Sequence, residues 1–407
     1  MDATVQCCVA GGGPAGVMVG YLLARAGIRT LILEKHKDFL RDFRGDTVHA
    51  STLEVIYELG LLDEFLKRPH QELREIRGRI GGVEVRLADL THLPTHCRFI
   101  ALMPQWDFLN FLTEQGKKFP AFQLLMEAEV ASLIEKDGRI AGLEADTEQG
   151  RLKVKADLVI AADGRNSNVR KLAGLEVEDL GAPIDVLWMR ISKEAGDPRQ
   201  VLGYFNRGRV LVMLDRGDYW QCAFLILKGQ FDEIRAEGLP HFREEIAGIA
   251  PFLKDRVTDG EPASWDDVNL LSVRVDRLHR WWRPGLLCIG DSAHAMSPIG
   301  GVGINLAIQD AVAAANILAG PWKAGGIADK DLEAVQERRM FPAKATQAFQ
   351  VFVHKRVLER VLGRDKPLSP PWPVRLLDHW ALLRRIPARF LGLGVRPEHV
   401  RSGTVPE

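Results

Sequence analysis

The chain lacks the features that mark secreted, membrane-spanning or metal-binding proteins. Its five cysteines form no C-x-x-C pair and show no metal-ligand spacing, which excludes a disulfide reductase and predicts a reducing, cytoplasmic environment. No apolar run reaches the ~18 residues of a membrane span, and no basic-then-apolar signal precedes the first predicted strand. We therefore expect no metal site, no secretion and no membrane span.

The charge balance also removes one class of partner. Lys plus Arg equals Asp plus Glu at 54 each, so no overall field favours nucleic acid, and no nucleic-acid-binding motif is present. No internal repeat or low-complexity tract appears. With 407 residues, 46 % of them apolar and 27 % charged, the chain has the composition of a globular protein and the length for two domains. The partner is expected to be a small molecule.

A dinucleotide-binding fingerprint opens the chain. A buried strand is predicted over Thr4–Ala10 and a helix over Ala15–Ala26, with G-x-G-x-x-G at their junction. A second predicted strand, Thr30–Leu33, ends at Glu34, which lies 18 positions after the last glycine. A glycine motif alone is weak evidence, but here the strand, the helix and the acidic residue are all in register.

Each residue of the fingerprint has a physical role. Gly11 makes the tight turn, Gly13 lets a pyrophosphate approach the backbone, and Gly16 lets helix and strand pack closely. The carboxylate of Glu34 is placed for ribose hydroxyls. Because the chain carries a single fingerprint and a further Gly-Asp unit near residue 290, FAD is favoured over a bound nicotinamide cofactor.

That second unit is a strand, a loop and a helix. A short apolar strand ends at Gly290, and Asp291 follows at a position suited to hydrogen bonds from sugar-alcohol hydroxyls. A glycine-rich loop then leads into a helix predicted from Asn305 to Leu318. The N–H groups and positive dipole at the start of this helix favour the negative charge of a reduced flavin.

A third acidic loop and a second sheet complete the predicted α/β architecture. The strand Asp157–Ala161 runs into Asp163-Gly164 at the carboxyl edge of the sheet, where α/β proteins bind ligands. Gln123 to Ile134, Arg139 to Thr147 and Arg151 to Val154 are predicted to form a meander, and Val186 to Leu227 alternates like a half-exposed, mostly antiparallel sheet. Phe231 to Ile249 is predicted to be helical. The predicted domains are a discontinuous Rossmann-like FAD-binding domain, a β-sheet substrate domain and a C-terminal helical segment, with bounds 1–75, 101–180 and 272–331; 76–100 and 181–271; and 332–407.

Two basic segments leave alternatives open. Arg41 and Arg44 are candidates for pyrophosphate oxygens, or they belong to a surface loop. The segment Val374–Phe390 is amphipathic and basic. A packed terminal helix with a solvated arginine face is favoured there over attachment to a membrane surface.

Taken together, the three motifs resemble the class A flavin monooxygenases, the p-hydroxybenzoate hydroxylase-like family, over roughly residues 4 to 320. The resemblance implies that NADH or NADPH reduces FAD and that O2 adds at the flavin C4a position to give a hydroperoxide, which hydroxylates a phenolic, N-heteroaromatic or polyketide-like substrate. It also implies cofactor-binding positions. These are Gly11, Gly13, Pro14, Ala15, Gly16, Glu34, Lys35, Arg44, Gln105, Val130, Asp163, Gly164, Gly290, Asp291, Pro298, Gly303, Ile304 and Asn305.

The resemblance identifies no substrate base. His49 and Pro298 are the candidates for a catalytic role, while His294 is expected to be structural. Trp188, Tyr204, Tyr219 and Trp220 are candidates for the pocket wall, although packing in the sheet is favoured for each. The chain is expected to be a monomer or homodimer without a thioredoxin-like extension.

Two other functions remain open at this point. The same motifs are compatible with a FAD-dependent reductase or dehydrogenase, and with a flavin-binding protein that has no catalytic activity. A flavin halogenase is disfavoured because the W-x-W-x-I-P signature is absent from the sequence.

Overall fold

The computed structural model describes residues 2–40, 47–198, 203–358, 361–362 and 366–403. The two predicted pyrophosphate contacts, Arg41 and Arg44, lie outside the described residues. The strands are β1 Asp2–Ala10, β2 Thr30–Leu33, β3 Thr47–Val48, β4 Gln71–Leu73, β5 Glu75–Ile80, β6 Val83–Asp89, β7 Ile100–Leu102, β8 Phe122–Leu125, β9 Ala128–Lys136, β10 Arg139–Thr147, β11 Gly150–Ala161, β12 Val177–Asp179, β13 Ile184–Ser192, β14 Gly203–Asn206, β15 Arg209–Asp215, β16 Tyr219–Leu227, β17 Asn269–Ser272, β18 Asp276–Leu278, β19 Trp282–Arg283, β20 Leu286–Cys288 and β21 His294–Ala295.

The helices alternate with these strands in the N-terminal half and dominate the C-terminal part of the chain. They are α1 Pro14–Arg25, α2 Ala50–Glu58, α3 Leu62–Phe65, α4 Gln105–Gly116, α5 Asn168–Leu172, α6 Phe231–Glu237, α7 Leu239–Ile249, α8 Lys254–Thr258, α9 Gly303–Lys323, α10 Asp329–Val353, α11 Trp372–His379 and α12 Arg385–Leu393.

The central sheet runs in the order β19-β20-β11-β1-β2-β8, and its strands from β20 to β8 are parallel. Ala10, Ala161 and Cys288 are in register at the carboxyl ends of three adjacent strands. The loops that leave these ends are the three motifs of the sequence, so one edge of the sheet brings them together. A Rossmann-like sheet with a second sheet and C-terminal helices confirms the predicted fold class.

Two strand predictions in this region were wrong. The segment predicted as one strand from Gln123 to Ile134 is two strands, because β8 pairs with β2 in the central sheet while β9 pairs with β10. The segments predicted separately at Arg151–Val154 and Asp157–Ala161 form the single strand β11. Its outer half pairs with β10 and its inner half with β20, which explains the change in residue pattern.

The second sheet runs in the order β17-β13-β16-β15-β14-β5-β6. It is not half-exposed as predicted. In β16 the seven residues from Trp220 to Ile226 are all buried, because one face packs against Phe242 and Ile246 of α7 and the other packs against residues around Ile299. Buried strands of this kind lose the alternation of polar and apolar residues.

Helix α9 is the central helix of the cofactor domain and packs against both α1 and α10. By length and composition alone, the stretch Ile299–Lys323 is apolar enough to cross a bilayer. However, 78 % of its most apolar 18-residue segment is buried inside the protein, as expected for the core helix of a globular domain.

The helix predicted from Phe231 to Ile249 is broken into α6 and α7 at Gly238, which has a φ of 93° and is followed closely by Pro240. The basic segment Val374–Phe390 is likewise two helices, α11 and α12, rather than one.

Candidate active site

The turn after β1 requires glycine at two positions for packing. Gly11 has a φ of 105°, and a Cβ there would lie 2.4 Å from the carbonyl oxygen of Ala162. A Cβ at Gly16 would lie 1.9 Å from the carbonyl oxygen of Gly11. Both distances are far below van der Waals contact, so these glycines hold α1 against the turn and the turn against β11.

Gly13 differs from these two because it faces open space. A Cβ built there meets nothing within 4 Å. Helix α1 begins directly after it with Pro14 and has no side-chain cap. Its first N–H groups therefore have no partner within the helix, and together with the helix dipole they provide a site for an anion. The open space at Gly13 fits a pyrophosphate.

Glu34 lies at the carboxyl end of β2, beside this turn. Its Oε2 accepts a hydrogen bond from the backbone N–H of Gly12 at 2.8 Å, and its Oε1 accepts one from His36 N–H at 3.1 Å. These bonds aim the carboxylate at the glycine turn. Lys35, the next predicted position, is exposed and lies 3.9 Å from Glu129, so its side chain points towards solvent.

Two further predicted positions lie on elements around the same edge. Val130 is buried in β9, and its carbonyl oxygen accepts a hydrogen bond from the Asn168 amide at 2.9 Å. Gln105 is the first residue of α4, is half-buried and follows Pro104. Helix α4 packs on α1, which places Gln105 on the cofactor domain.

The carboxylate of Asp163 is fully used within the protein. Its Oδ1 accepts hydrogen bonds from the hydroxyls of Ser167 at 2.5 Å and Ser292 at 2.8 Å, and its Oδ2 accepts one from Val169 N–H at 3.0 Å. The Ser292 hydroxyl also accepts a bond from Gly164 N–H at 3.2 Å. Asp163 therefore joins the loop that follows β11 to the loop that follows β20.

Asp291 differs from Asp163 because its carboxylate is accessible to solvent. It lies in the single helical turn Gly290–Ser292, and its side chain is 27 % exposed. Its Oδ2 lies 3.3 Å from Nη2 of Arg165. A Cβ at Gly290 would lie 3.1 Å from the Cβ of Ala15, so this turn touches the start of α1. Asp291 thus presents an accessible carboxylate beside the anion site.

The loop before α9 is held by Asn305. Its Oδ1 accepts hydrogen bonds from His49 N–H at 2.8 Å and from the Thr52 hydroxyl at 2.7 Å. Its Nδ2 donates to the carbonyl oxygens of Thr47 and Gly301, each at 3.2 Å. The Asn305 side chain is therefore saturated by the protein, and its function here is to join the loop to β3 and α2.

Pro298, Gly303 and Ile304 border this loop and are half-buried. Helix α9 begins at Gly303 without a side-chain cap. Its first N–H groups therefore lack partners within the helix, as at α1. The N-termini of α1 and α9 thus both lie at the edge of the sheet where the three loops meet.

His49 is placed behind the loop and not on the open cleft. Its side chain has 0 % exposure, and Nδ1 lies 2.6 Å from the carbonyl oxygen of Leu391, so Nδ1 carries the proton. Burial lowers the pKa of His49 to about 4, although the bond to Leu391 opposes this shift. The neutral, enclosed ring supports the loop, and a base role for it stays a hypothesis.

A buried ionic network behind Gly290 was not foreseen from the sequence. His294 Nε2 donates to Asp310 Oδ2 at 2.5 Å, and Gly290 N–H donates to the same oxygen at 3.0 Å. Arg339 Nε donates to Asp310 Oδ1 at 2.9 Å, and its Nη1 reaches Glu398 at 3.3 Å. Burial acts to raise the pKa of Asp310, but His294 and Arg339 together hold it below the usual value. The only sequence signal was a carboxylate on the apolar face of α9.

A second set of bonds, also not foreseen, braces Pro298 from α10. Gln350 Nε2 donates to the carbonyl oxygens of Ser297 and Ile299 at 2.9 and 3.0 Å. Its Oε1 accepts from Ser297 N–H at 3.0 Å, and His354 Nε2 lies 2.9 Å from the Ser297 hydroxyl. The loop around Pro298 is therefore fixed by α10 as well as by α9.

The second sheet closes the cleft from the side of Pro298. Val186, Trp188, Val212 and Leu225 lie on its face towards Ile299. Tyr204 and Trp220 lie on the opposite face with Phe252, which confirms that they pack in the core and removes them from the pocket wall.

Replacement of Asp291 by alanine is expected to weaken FAD binding about tenfold or more, because a hydrogen bond to a charged group contributes about 1.5–3 kcal/mol. The dissociation constant can be measured from the quenching of flavin fluorescence. Asp146→Ala, at an exposed carboxylate of β10, is the matched control and should leave the affinity unchanged. An unaltered affinity in Asp291→Ala would remove this residue from the cofactor site.

Comparison with known proteins gives a consistent result. Residues 4–349 match the family model described as FAD binding domain. The chain is 32 % identical over 406 residues to a 6-methylpretetramide 4-monooxygenase of Streptomyces rimosus, covering 98 % of this chain and 96 % of that protein. It is 29 % identical to rifampicin monooxygenase of Streptomyces venezuelae, with 74 % of this chain and 61 % of that protein covered.

Among solved structures, p-nitrophenol 4-monooxygenase of Pseudomonas putida superposes with a TM-score of 0.76 at 21 % identity. The superposition covers 96 % of this chain and 97 % of that one. At this level of identity the match shows a shared fold, including both sheets and the C-terminal helices.

Proposed function

Because this chain belongs to the FAD binding domain family of class A flavin-dependent aromatic hydroxylases, we propose that it hydroxylates a polycyclic aromatic substrate of polyketide type, using O2 and NADH or NADPH. The observation that carries the proposal is the meeting of three cofactor loops at the carboxyl ends of β1, β11 and β20. The near full-length match to a 6-methylpretetramide 4-monooxygenase supports the substrate class.

The residues of this cleft fit FAD. The start of α1 with Gly13 would hold the pyrophosphate, Glu34 would receive the ribose hydroxyls, and Asp291 would receive the ribityl chain. The Pro298 loop and the first turn of α9 would border the isoalloxazine. When bound, FAD supplies hydride acceptance and the activation of O2.

The protein itself contributes position, charge and dryness. The uncapped start of α9 carries a positive dipole that would stabilise negative charge on a flavin bound beside it. Asn305 and Gln350 fix the loop from two sides, so this dipole keeps its direction during turnover. The apolar face with Val186 and Val212 excludes water from the side where the substrate would lie.

The nicotinamide donor is proposed to bind only transiently. The sequence has no second dinucleotide fingerprint, so the donor would share the cleft instead of having a domain of its own. The five cysteines are free and buried, which supports a reducing, cytoplasmic location.

Anaerobic reduction of the FAD-loaded protein by NADH and by NADPH tests the proposal. The absorbance of the flavin is followed with and without a panel of phenols and polycyclic aromatic ligands. Reduction that is accelerated by one class of ligand, followed in air by an oxygenated product, is the expected result.

The two alternatives give different outcomes. Fast reduction without a ligand effect and without an oxygenated product would indicate a reductase on the same scaffold. A flavin that neither donor reduces would indicate a binding protein without catalytic activity.

A further inference from the structure

The C-terminal part of the chain carries an exposed apolar surface. Eight of the fifteen large hydrophobic side chains that are exposed among the described residues lie between Phe341 and Ile386. We define the C-terminal patch by the five of them on and beside α11 and α12. They are Trp372, Leu376, Trp380, Leu382 and Ile386.

The patch is continuous along these elements. Trp372 and Leu376 are spaced by four residues and therefore share one side of α11, and the exposed Trp380 follows directly after the helix. Leu382 and Ile386 continue it to α12, whose Phe390 contacts Phe349 of α10 at 4.6 Å between ring centroids. Trp372 is 76 % exposed and Trp380 is 56 % exposed, so both indoles contribute to an exposed apolar surface.

Helix α11 is attached to the body of the protein by its polar side. Arg86 donates to Asp378 from its backbone N–H at 3.0 Å and from Nε at 3.2 Å. None of the residues of α11 is buried. The helix is thus a ridge on the outside of the protein. Both α11 and α12 pack against β6, as a packed terminal segment with a solvated arginine face requires, but one apolar side of α11 stays exposed.

Positive charge surrounds the same ridge. Residues 341–393 carry ten Lys or Arg and three Asp or Glu, a net charge of +7 in a chain whose overall charge is zero. Arg375, Arg385 and Arg389 are exposed beside the patch, while Asp378 is bonded to Arg86. Three exposed arginines of the described residues therefore lie on the same helices as the exposed Trp372 and Trp380.

We propose that the C-terminal patch binds the surface of an anionic lipid membrane. Tryptophan and aliphatic side chains on a convex amphipathic ridge suit the boundary between headgroups and acyl chains, and arginines beside them are attracted to anionic lipids. A second copy of the chain would bring the same positive charge to the contact, which opposes self-association. The patch thus brings the enzyme to a surface where apolar aromatic substrates concentrate.

Flotation of the FAD-loaded protein with vesicles tests this proposal. One set of vesicles is phosphatidylcholine alone and the other is phosphatidylcholine with phosphatidylglycerol. We expect the protein to float with the anionic vesicles, to remain with the dense fraction in the neutral ones, and to be released at high salt. Tryptophan emission should shift to shorter wavelength on binding.

Two variants and a control locate the contact. Trp372→Ser/Trp380→Ser and Arg385→Glu/Arg389→Glu should each weaken vesicle partitioning about tenfold or more. Leu172→Ser/Val177→Ser, at exposed apolar positions of α5 and β12, should bind like the original protein. Flavin content and melting temperature report the folding of each variant, and the arginine variant carries the test if the tryptophan variant is unstable.

Several results would overturn the proposal. These are the absence of flotation with anionic vesicles, equal losses in the Leu172/Val177 control, or flotation that is independent of salt and lipid charge. A dimer in sedimentation velocity that disappears in the tryptophan variant, without any vesicle binding, would assign the patch to self-association. Salt-sensitive capture by an acidic protein, again without vesicle binding, would assign it to a protein partner.

Discussion

Replacement of Gly13 by valine is expected to abolish FAD binding while the protein still folds. A Cβ at this position meets no protein atom within 4 Å, and the backbone has a φ of −74° and a ψ of −176°, which a β-branched residue adopts without strain. The added methyl groups would instead occupy the space of the pyrophosphate. We expect at least about a hundredfold loss of FAD affinity, from the loss of bonds between an anion and the helix N-terminus.

Isothermal titration with FAD and circular dichroism separate the two effects. Gly196→Val is the matched control, because Gly196 is also free of neighbours within 4 Å but lies far from the cleft in sequence and on an exposed loop. Gly16→Val should fail to fold, since its Cβ would lie 1.9 Å from the Gly11 carbonyl oxygen. Full flavin content in Gly13→Val would contradict the placement of the pyrophosphate.

Replacement of Arg339 by methionine is expected to lower the free energy of unfolding by about 3–5 kcal/mol. The Arg339 side chain has 0 % exposure and is bonded to both Asp310 and Glu398. Methionine fills a similar volume but removes the buried cation that Asp310 and Glu398 share, so that Asp310 keeps only His294 and Glu398 keeps only Arg338. Denaturation by urea measures the change, and binding of FAD should weaken as well, because Asp310 holds the N–H of Gly290.

Arg338 provides the control at the adjacent position. It also bonds Glu398, at 2.6 Å, but its side chain is 39 % exposed. Arg338→Met should therefore cost about 1 kcal/mol or less, because the Arg338 side chain is in contact with solvent and the buried Glu398 keeps its ion pair with Arg339. Equal losses in the two variants would show that burial does not set the strength of this network.

The parts of the fold that the sequence predicted are those with local signals. The glycine turn, β2 ending at Glu34, and the Asp163 and Gly290-Asp291 loops each follow a short buried strand. The adjacency of those strands then follows from the rules of parallel α/β sheets, so the cleft itself was predictable. The prediction of a half-exposed second sheet was wrong because α6 to α8 cover its outer face. The residues of the sheet alone do not indicate that helices pack there.

The supports of the site were not predictable because they join distant positions. His49 bonds Leu391, Asp310 bonds Arg339, and Gln350 bonds the Pro298 loop, and no short-range spacing connects these partners. Asn305 and Asp163 stay predicted cofactor-binding positions, but the sequence did not show that their side chains also bond protein groups. A motif shows that a residue is needed at a position, but the direction of its side chain depends on neighbours from elsewhere in the chain.

The order of strands in the central sheet has a consequence for synthesis on the ribosome. Strand β1 emerges long before its neighbour β11, which begins at residue 150, and β20 begins only at residue 286. Until then one edge of an apolar strand is unpaired, and such edges recruit other chains. The nascent chain is therefore expected to depend on chaperones until α9 has left the exit tunnel.

The residues around Val400 and Ser402 delay the completion of the cofactor domain further. The carbonyl oxygen of Ser402 accepts a hydrogen bond from Arg25 of α1 at 2.9 Å, and Val400 N–H donates to Glu58 of α2 at 2.7 Å. Both contacts join residues translated early to residues translated late. Capture of FAD should thus be a post-translational event, and ribosome-bound chains that stop before residue 286 should remain colourless.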